Sequence, residues 1–335
     1  MKNKTRITGI ILLGIILFFM DLCLGSVHIP FKESISILTG NGATKSTWEY
    51  IILNFRLPKA LMAIVVGMAL PVCGLLMQTL FRNPLAGPYV LGLSSGSSLM
   101  VALVIMGSSF LPSFLIPIFT SSYGLVIASS LGSFVVLLAI MLTAQKVKNT
   151  MSILVIGLMF SNFTASMITI LSYFSTADQL QKFTFWSMGN LGSVAWHNLW
   201  LILVIVASLL LVTLSLLKNL DALLLGENYA RSMGVPYQKT QNYSIIITSI
   251  LTGTITAFVG PIAFIGLAIP HMARIIFQGS QHLYLFTTTL LTGICVMLFC
   301  DIVSQGFEVA IPINAVTSLV GAPIIIWLLI KKRNY

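Results

Sequence analysis

Residues 218–239 read KNLDALLLGENYARSMGVPYQK. Five of these side chains are formally charged, Lys218, Asp221, Glu227, Arg231 and Lys239, in a chain of 335 residues that holds only 26 Asp, Glu, Lys and Arg. Apolar windows flank the stretch near 197–217 and 242–259, so it is a polar connection between two hydrophobic segments. A fold that places so much charge there has to keep it in water.

Outward from that stretch the chain is apolar. Hydrophobic residues make up 57% and charged residues 8%, against about 25% charged in an ordinary soluble domain. Mean hydropathy is +1.00. A soluble globule is excluded, and with roughly 20 residues per crossing the length suits about ten spans. Apolar windows place them near 7–26, 59–80, 90–107, 122–143, 151–172, 197–217, 242–259, 263–277, 284–303 and 313–330. The reading is an all-α integral membrane protein, one polytopic domain over 1–335. The N-terminal run follows a basic start, as a signal peptide would, but it is long, no small-x-small site closes it and further spans follow, so it reads as a retained first helix.

With residues 1–6 in the cytoplasm, 13 of the 18 Lys and Arg fall at cytoplasmic ends and loops, including Lys148 and the tail 331–335 with Arg333. That asymmetry favours two cytoplasmic termini and places 218–239 inside the cell. The net charge of +10 comes from basic residues scattered among apolar segments, which fits membrane topology and no nucleic acid. Cys23, Cys73, Cys295 and Cys300 lie in apolar runs and read as packing residues, with no metal spacing. Two outer segments, 27–58 and 173–196, are long enough for structure of their own. The second is rich in aromatic residues and suits a short helix at the outer surface.

Two stretches break the apolar pattern at membrane depth: RNPLAGPYVLGLSSGSS (82–98) and VGPIAFIGLAIPH (259–271). Irregular backbone survives there only inside protein or beside water. In the threading above the breaks take inverted positions, either as paired broken segments of a transporter repeat or as loops with small residues for close packing. His271, Arg274, Asp301 and Glu308 are ionisable residues in or near spans, either pathway groups or snorkelling ends. GNGATKST (40–47) is no phosphate loop, because Thr44 stands where the Gly before the Lys must be.

Within the opening stretch, GENYARSMGV (226–235) reads as a short helix. Glu227 lies in its first turn, Arg231 four residues on, and Gly234 ends it in a left-handed conformation. Ala230 and Met233 are expected to form a small apolar face for docking. So short a helix needs contacts to persist.

The chain resembles the FecCD-type permeases of bacterial ABC importers for cobalamin, haem and ferric siderophores. The likeness runs from about Phe55 to Arg333 through RLPK (56–59), RNPLAGPYVLGLSSG (82–96), YFST (173–176), FWSMGNLG (185–192), LGENYARSMGVP (225–236), GPIAFIGLAIPHMAR (260–274) and VTSLVGAPIIIWLL (316–329). The resemblance implies a type II ABC importer permease of ten helices with inverted-repeat halves, in the bacterial inner membrane. It implies a second permease subunit, identical or paralogous, two cytoplasmic ATPases that bind ATP and Mg, and an extracytoplasmic binding protein. The chain itself is then no enzyme and binds no cofactor. By that likeness Gly226, Glu227, Ala230, Arg231, Ser232, Met233 and Gly234 couple to the ATPase, Arg56 and Lys59 receive the binding protein, and Asn83, Leu85, Thr150 and Met151 form the cytoplasmic gate. An Arg of the cobalamin importer before the last helix is Gln305 here, and Met151 is bulkier than the gate residue expected. An ion-driven secondary transporter is the alternative and would need carboxylates within spans. An intramembrane enzyme would need a convergent catalytic group, and His271 has no clear partner in the sequence.

Overall fold

The computed structural model describes residues 2–332 apart from 26, 111, 147–149, 278, 280 and 308–309. Lys148, Glu308 and Arg333 therefore lie outside the described residues. All regular structure among the described residues is helical: α1 (Lys2–Cys23), α2 (Phe31–Leu38), α3 (Ser46–Ile51), α4 (Leu57–Leu80), α5 (Leu93–Met106), α6 (Ile116–Phe119), α7 (Ser122–Lys146), α8 (Thr150–Tyr173), α9 (Ala177–Ser187), α10 (Trp196–Leu224), α11 (Glu227–Ser232), α12 (Tyr237–Val259), α13 (Ile265–Phe277), α14 (His282–Gln305) and α15 (Ile313–Lys332). A π turn, Ile52–Arg56, joins α3 to α4.

Each of the ten expected windows is occupied by a helix. Seven segments among the described residues are long and apolar enough to cross a membrane: Thr5–Cys23, Ser46–Leu80, Ser122–Thr143, Val155–Tyr173, Trp196–Leu224, Tyr237–Val259 and His282–Gln305. The other three, Leu93–Ser109, Ile265–Phe277 and Ile313–Trp327, are shorter. Two of these short helices, α5 and α13, directly follow the Gly/Pro-rich breaks, where residues that would have lengthened the helix are spent on turns. Before α5 the chain makes a 3-10 turn at Pro88–Leu91. Before α13 it stays irregular from Gly260 to Phe264, and Ala263 N–H donates to the Asn314 Oδ1 of α15 at 3.0 Å.

The chain divides into two compact units. One comprises Met1–Pro71, Asn190–Ala207 and Ile262–Tyr335; the other comprises Val72–Gly189 and Ser208–Pro261. In the first, α4 and α14 cross at paired glycines: a Cβ on Gly67 would meet the Gly293 carbonyl oxygen at 2.6 Å. In the second, α5 and α7 cross in the same way, with a Cβ on Gly96 only 2.7 Å from the Gly132 carbonyl oxygen. Lipid supplies no hydrophobic drive between apolar helices, so close backbone approach and interhelical hydrogen bonds have to hold them. Ser97 adds one such bond, donating to the Ser129 carbonyl at 2.9 Å.

The segments outside the spans have small cores of their own. Ile29, Ile37 and Ile52 pack with Trp48 in the first unit, so 27–58 is structured as expected. In the second, Phe183 and Trp186 of α9 pack on Val101, Ile105 and Ala128. Thr176 and Gln179 begin α9 with a reciprocal capping box, which explains why a polar helix starts there.

The Gly67–Gly293 crossing leaves no room for a larger residue. Gly293→Leu is expected to lower stability by about 1–3 kcal/mol through overpacking, seen as a lower thermal midpoint of the detergent-solubilised protein. An unchanged midpoint would contradict the crossing.

Candidate functional site

The connection that the opening stretch of sequence singles out forms α11. Gly226 precedes it at a φ of 120° and Glu227 opens its first turn. Arg231 Nη2 meets Glu227 Oε1 at 2.7 Å, and the Arg231 guanidinium also lies over the Tyr237 ring, 5.5 Å from its centroid. The helix closes in a two-bond turn: Gly234 N–H donates to the Arg231 carbonyl and Val235 N–H to the Ala230 carbonyl, both at 3.0 Å. That pattern needs a left-handed residue at position 234, and Gly234 has a φ of 78°.

One expectation is corrected. Ala230 and Met233 do not share an apolar face: Ala230 is fully buried, whereas Met233 is 60% exposed. Ala230 seats the helix on its own unit. Met233 points outward with Tyr229 and Leu225, so the exposed apolar group keeps Met233 but has Tyr229 and Leu225 in place of Ala230, beside the Glu227–Arg231 pair.

Asn83 and Leu85 lie in the turn after α4. Asn83 Oδ1 accepts from the Leu85 N–H at 2.9 Å, and the Ala86 N–H returns to the Asn83 carbonyl at 3.0 Å, which makes a tight side-chain-closed turn. Leu85 is exposed. Thr150 and Met151 start α8, and their side chains lie outside the described ones.

Arg56 and Lys59 are both held by partners. Arg56 is only 7% exposed. Its Nη1 donates to the Leu22 and Cys23 carbonyls at 2.8 and 2.9 Å, and its Nη2 donates to the Val27 carbonyl. Leu22 and Cys23 close the C-terminus of α1, where carbonyls lack helical partners and a cation also suits the helix dipole. Lys59 Nζ pairs with Asp301 Oδ1 at 2.9 Å and keeps part of its side chain exposed. Gln305 Nε2 bridges the two buried carboxylates, reaching Asp21 Oδ1 at 2.8 Å and Asp301 Oδ2 at 3.0 Å. The sequence reading missed Asp21, although a lone acid in FFMDLC (18–23), at the end of an apolar run, was a visible signal. Asp301 is thereby a paired group. His271 and Arg274 are half-buried on α13.

α8 differs from α1 on its open side. The exposed mid-helix residues of α1 are Ile11, Leu12, Leu13, Ile15, Ile16 and Met20. On α8, Asn162, Ser166 and Thr169 are exposed along one stripe. Ser166 and Thr169 satisfy their hydroxyls on carbonyls four residues back, at 3.0 Å each. The Asn162 amide projects outward, which suits water or another protein better than lipid.

The profile of the FecCD transport family matches residues 12–331. The hemin transport system permease protein of Yersinia pestis is 34% identical over 338 residues, covering 98% of each chain. The vitamin B12 import system permease protein of Klebsiella pneumoniae is 31% identical over 336 residues, covering 99% of this chain and 96% of its own. Among solved structures, a metal-chelate type ABC transporter in an inward-facing conformation superposes with a TM-score of 0.85 at 28% identity, over 98% of this chain and 99% of that one.

Removing Lys59 alone strands the Asp301 carboxylate in the interior. Lys59→Met is expected to destabilise by about 3–5 kcal/mol, and Lys59→Met with Asp301→Asn to recover most of that. Thermal unfolding of single and double variants checks it; equal losses would contradict a pair that acts as a unit.

Proposed function

The chain belongs to the FecCD transport family, and from that membership we propose that it carries a metal chelate or corrinoid inward through a pathway whose opening is driven at α11. It is a multi-pass inner-membrane permease subunit of an ABC transporter and no enzyme; a permease partner and ATPase subunits complete the assembly. The cargo we favour is haem or a ferric siderophore over cobalamin. The relatives' names span hemin and vitamin B12, and Gln305 stands where the family resemblance leads one to expect an arginine in a cobalamin importer.

The observation that carries the proposal is the construction of α11. A six-residue helix is too short to persist alone in water, yet here it is anchored by the buried Ala230 and closed at its C-terminal end by the Gly234 turn. Its outward side offers Tyr229 and Met233 next to a charged pair, a surface suited to a protein cleft. In our reading Gly226–Gly234 seats in the ATPase, both termini and residues 218–239 are cytoplasmic, and approach of two ATP-loaded subunits displaces α11. The Asn83–Ala86 turn and the start of α8 at Thr150 and Met151 form the gate that responds. Asn162 supports a pathway or subunit contact along α8. Whether the second permease is a copy or a paralogue, the same α8 face serves.

An extracytoplasmic binding protein would deliver the cargo. Lys59 is the better docking group of the two, because its side chain keeps an exposed edge while Arg56 is committed to the end of α1. An ion-driven carrier gains no support from the buried acids: Asp301 is held by Lys59 and Gln305, and Asp21 by Gln305.

The test separates docking from folding. The Glu227–Arg231 pair is largely exposed and worth only about 0.3–0.5 kcal/mol, so replacing both by alanine leaves the permease folded. Met233→Asp places a charge in the contact. Both variants are expected to lose co-purification of the ATPase and ATP-dependent uptake, with the thermal midpoint unchanged. Full uptake and full assembly in either would contradict the assignment.

A further inference from the structure

The turn that ends α4 has the same hydrogen-bond pattern as the turn that ends α11, but with a different residue at its left-handed position. Arg82 N–H donates to the Thr79 carbonyl and Asn83 N–H to the Gln78 carbonyl, both at 3.2 Å. Arg82 has a φ of 46°, where Gly234 occupies the equivalent place after α11. A side chain in that conformation crowds its own backbone, and glycine is the residue that adopts it freely. An arginine there carries a backbone cost that glycine would avoid.

That guanidinium reaches across to the end of α10. Arg82 Nη2 donates to the Leu223 carbonyl at 3.2 Å, and a Cβ added to Gly226 would lie 3.1 Å from the same nitrogen. Leu223 is in the last turn of α10, at the negative end of the helix dipole, and its carbonyl also accepts the Gly226 N–H at 3.2 Å, so the cation suits the place and meets the same oxygen as Gly226. Gly226 is the residue from which α11 starts, and its carbonyl accepts the Ala230 N–H at 2.8 Å. Asn83, next to Arg82 in the chain, opens the closed turn through Leu85 and Ala86. One side chain therefore bridges the root of α11 and the root of the 83–86 turn.

We infer that Arg82 is a positioning residue that couples displacement of α11 to the conformation of the Asn83–Ala86 turn. The inference rests on the proposed ATPase contact at α11 and adds the route from that contact to the gate. When α11 moves, Leu223 and Gly226 move with it. The guanidinium, bonded to the one and packed on the other, draws the left-handed corner of the turn along. A lysine at 82 keeps the charge but loses the planar fork, so it transmits only part of the motion.

The experiment uses the whole transporter, permease with its ATPase and binding protein, in lipid nanodiscs, with a spin label on L85C. Trapping with ATP and vanadate is expected to change the label's mobility in the otherwise unaltered permease. R82G relaxes the left-handed corner and removes the guanidinium. It is expected to retain the ATPase and hydrolyse ATP within twofold of the parent, while the label response falls at least fivefold; R82K is expected to lie between. An R82G response equal to the parent's overturns the role of Arg82 and leaves the α11 contact standing. An absent response in the parent overturns the coupling reading and this inference with it. Loss of the ATPase from R82G also overturns it, because Arg82 would then be a direct docking group.

Discussion

Every peptide group that enters hydrocarbon has to find its partner within the protein, and this structure is organised around that demand. Long apolar helices meet it along their length; the ends and breaks are where it becomes selective. The end of α1 has its last carbonyls met by Arg56. The break before α13 is tied by Asn314. With apolar faces giving no net attraction in lipid, the helices are then brought together by backbone contact at Gly67–Gly293 and Gly96–Gly132.

The same demand explains where the few charges sit. In the first unit Asp21, Lys59 and Asp301 are kept together with Gln305, because each acid alone would be an expensive buried charge. In the second unit an exposed pair lies on α11, where Glu227 and Arg231 shape a short helix at little energetic gain. One group is fixed by the cost of separation. The other is weak enough internally to be free for a partner. That contrast is why function is assigned to α11 and a holding role to the buried cluster.

Much of this was legible in the sequence. Hydropathy windows located ten of the fifteen helices among the described residues, the seven long spans and three shorter apolar ones, since crossing length and composition are local properties. The acid in the first turn, the i, i+4 pair and the closing glycine located α11 for the same reason. The buried cluster was not legible: Asp21 and Gln305 are 284 positions apart, and only the packing of α1 beside α14 brings them together. The outward face of α11 was misread because a helix so short owes its orientation to the surface beneath Ala230, which no local pattern records. Arg82 opens the first broken stretch, 82–98, and its reach to Leu223 follows only from the left-handed turn that aims it.

If α11 takes up the motion of an ATPase, the peptide between α10 and α12 faces the compartment where ATP is hydrolysed. Sided labelling of S232C with a membrane-impermeant maleimide tests it most directly, because Ser232 is exposed and its hydroxyl bonds only within α11. In membranes that carry the permease without its ATPase, inverted inner-membrane vesicles should label and right-side-out vesicles should not. Labelling confined to right-side-out vesicles would contradict the account.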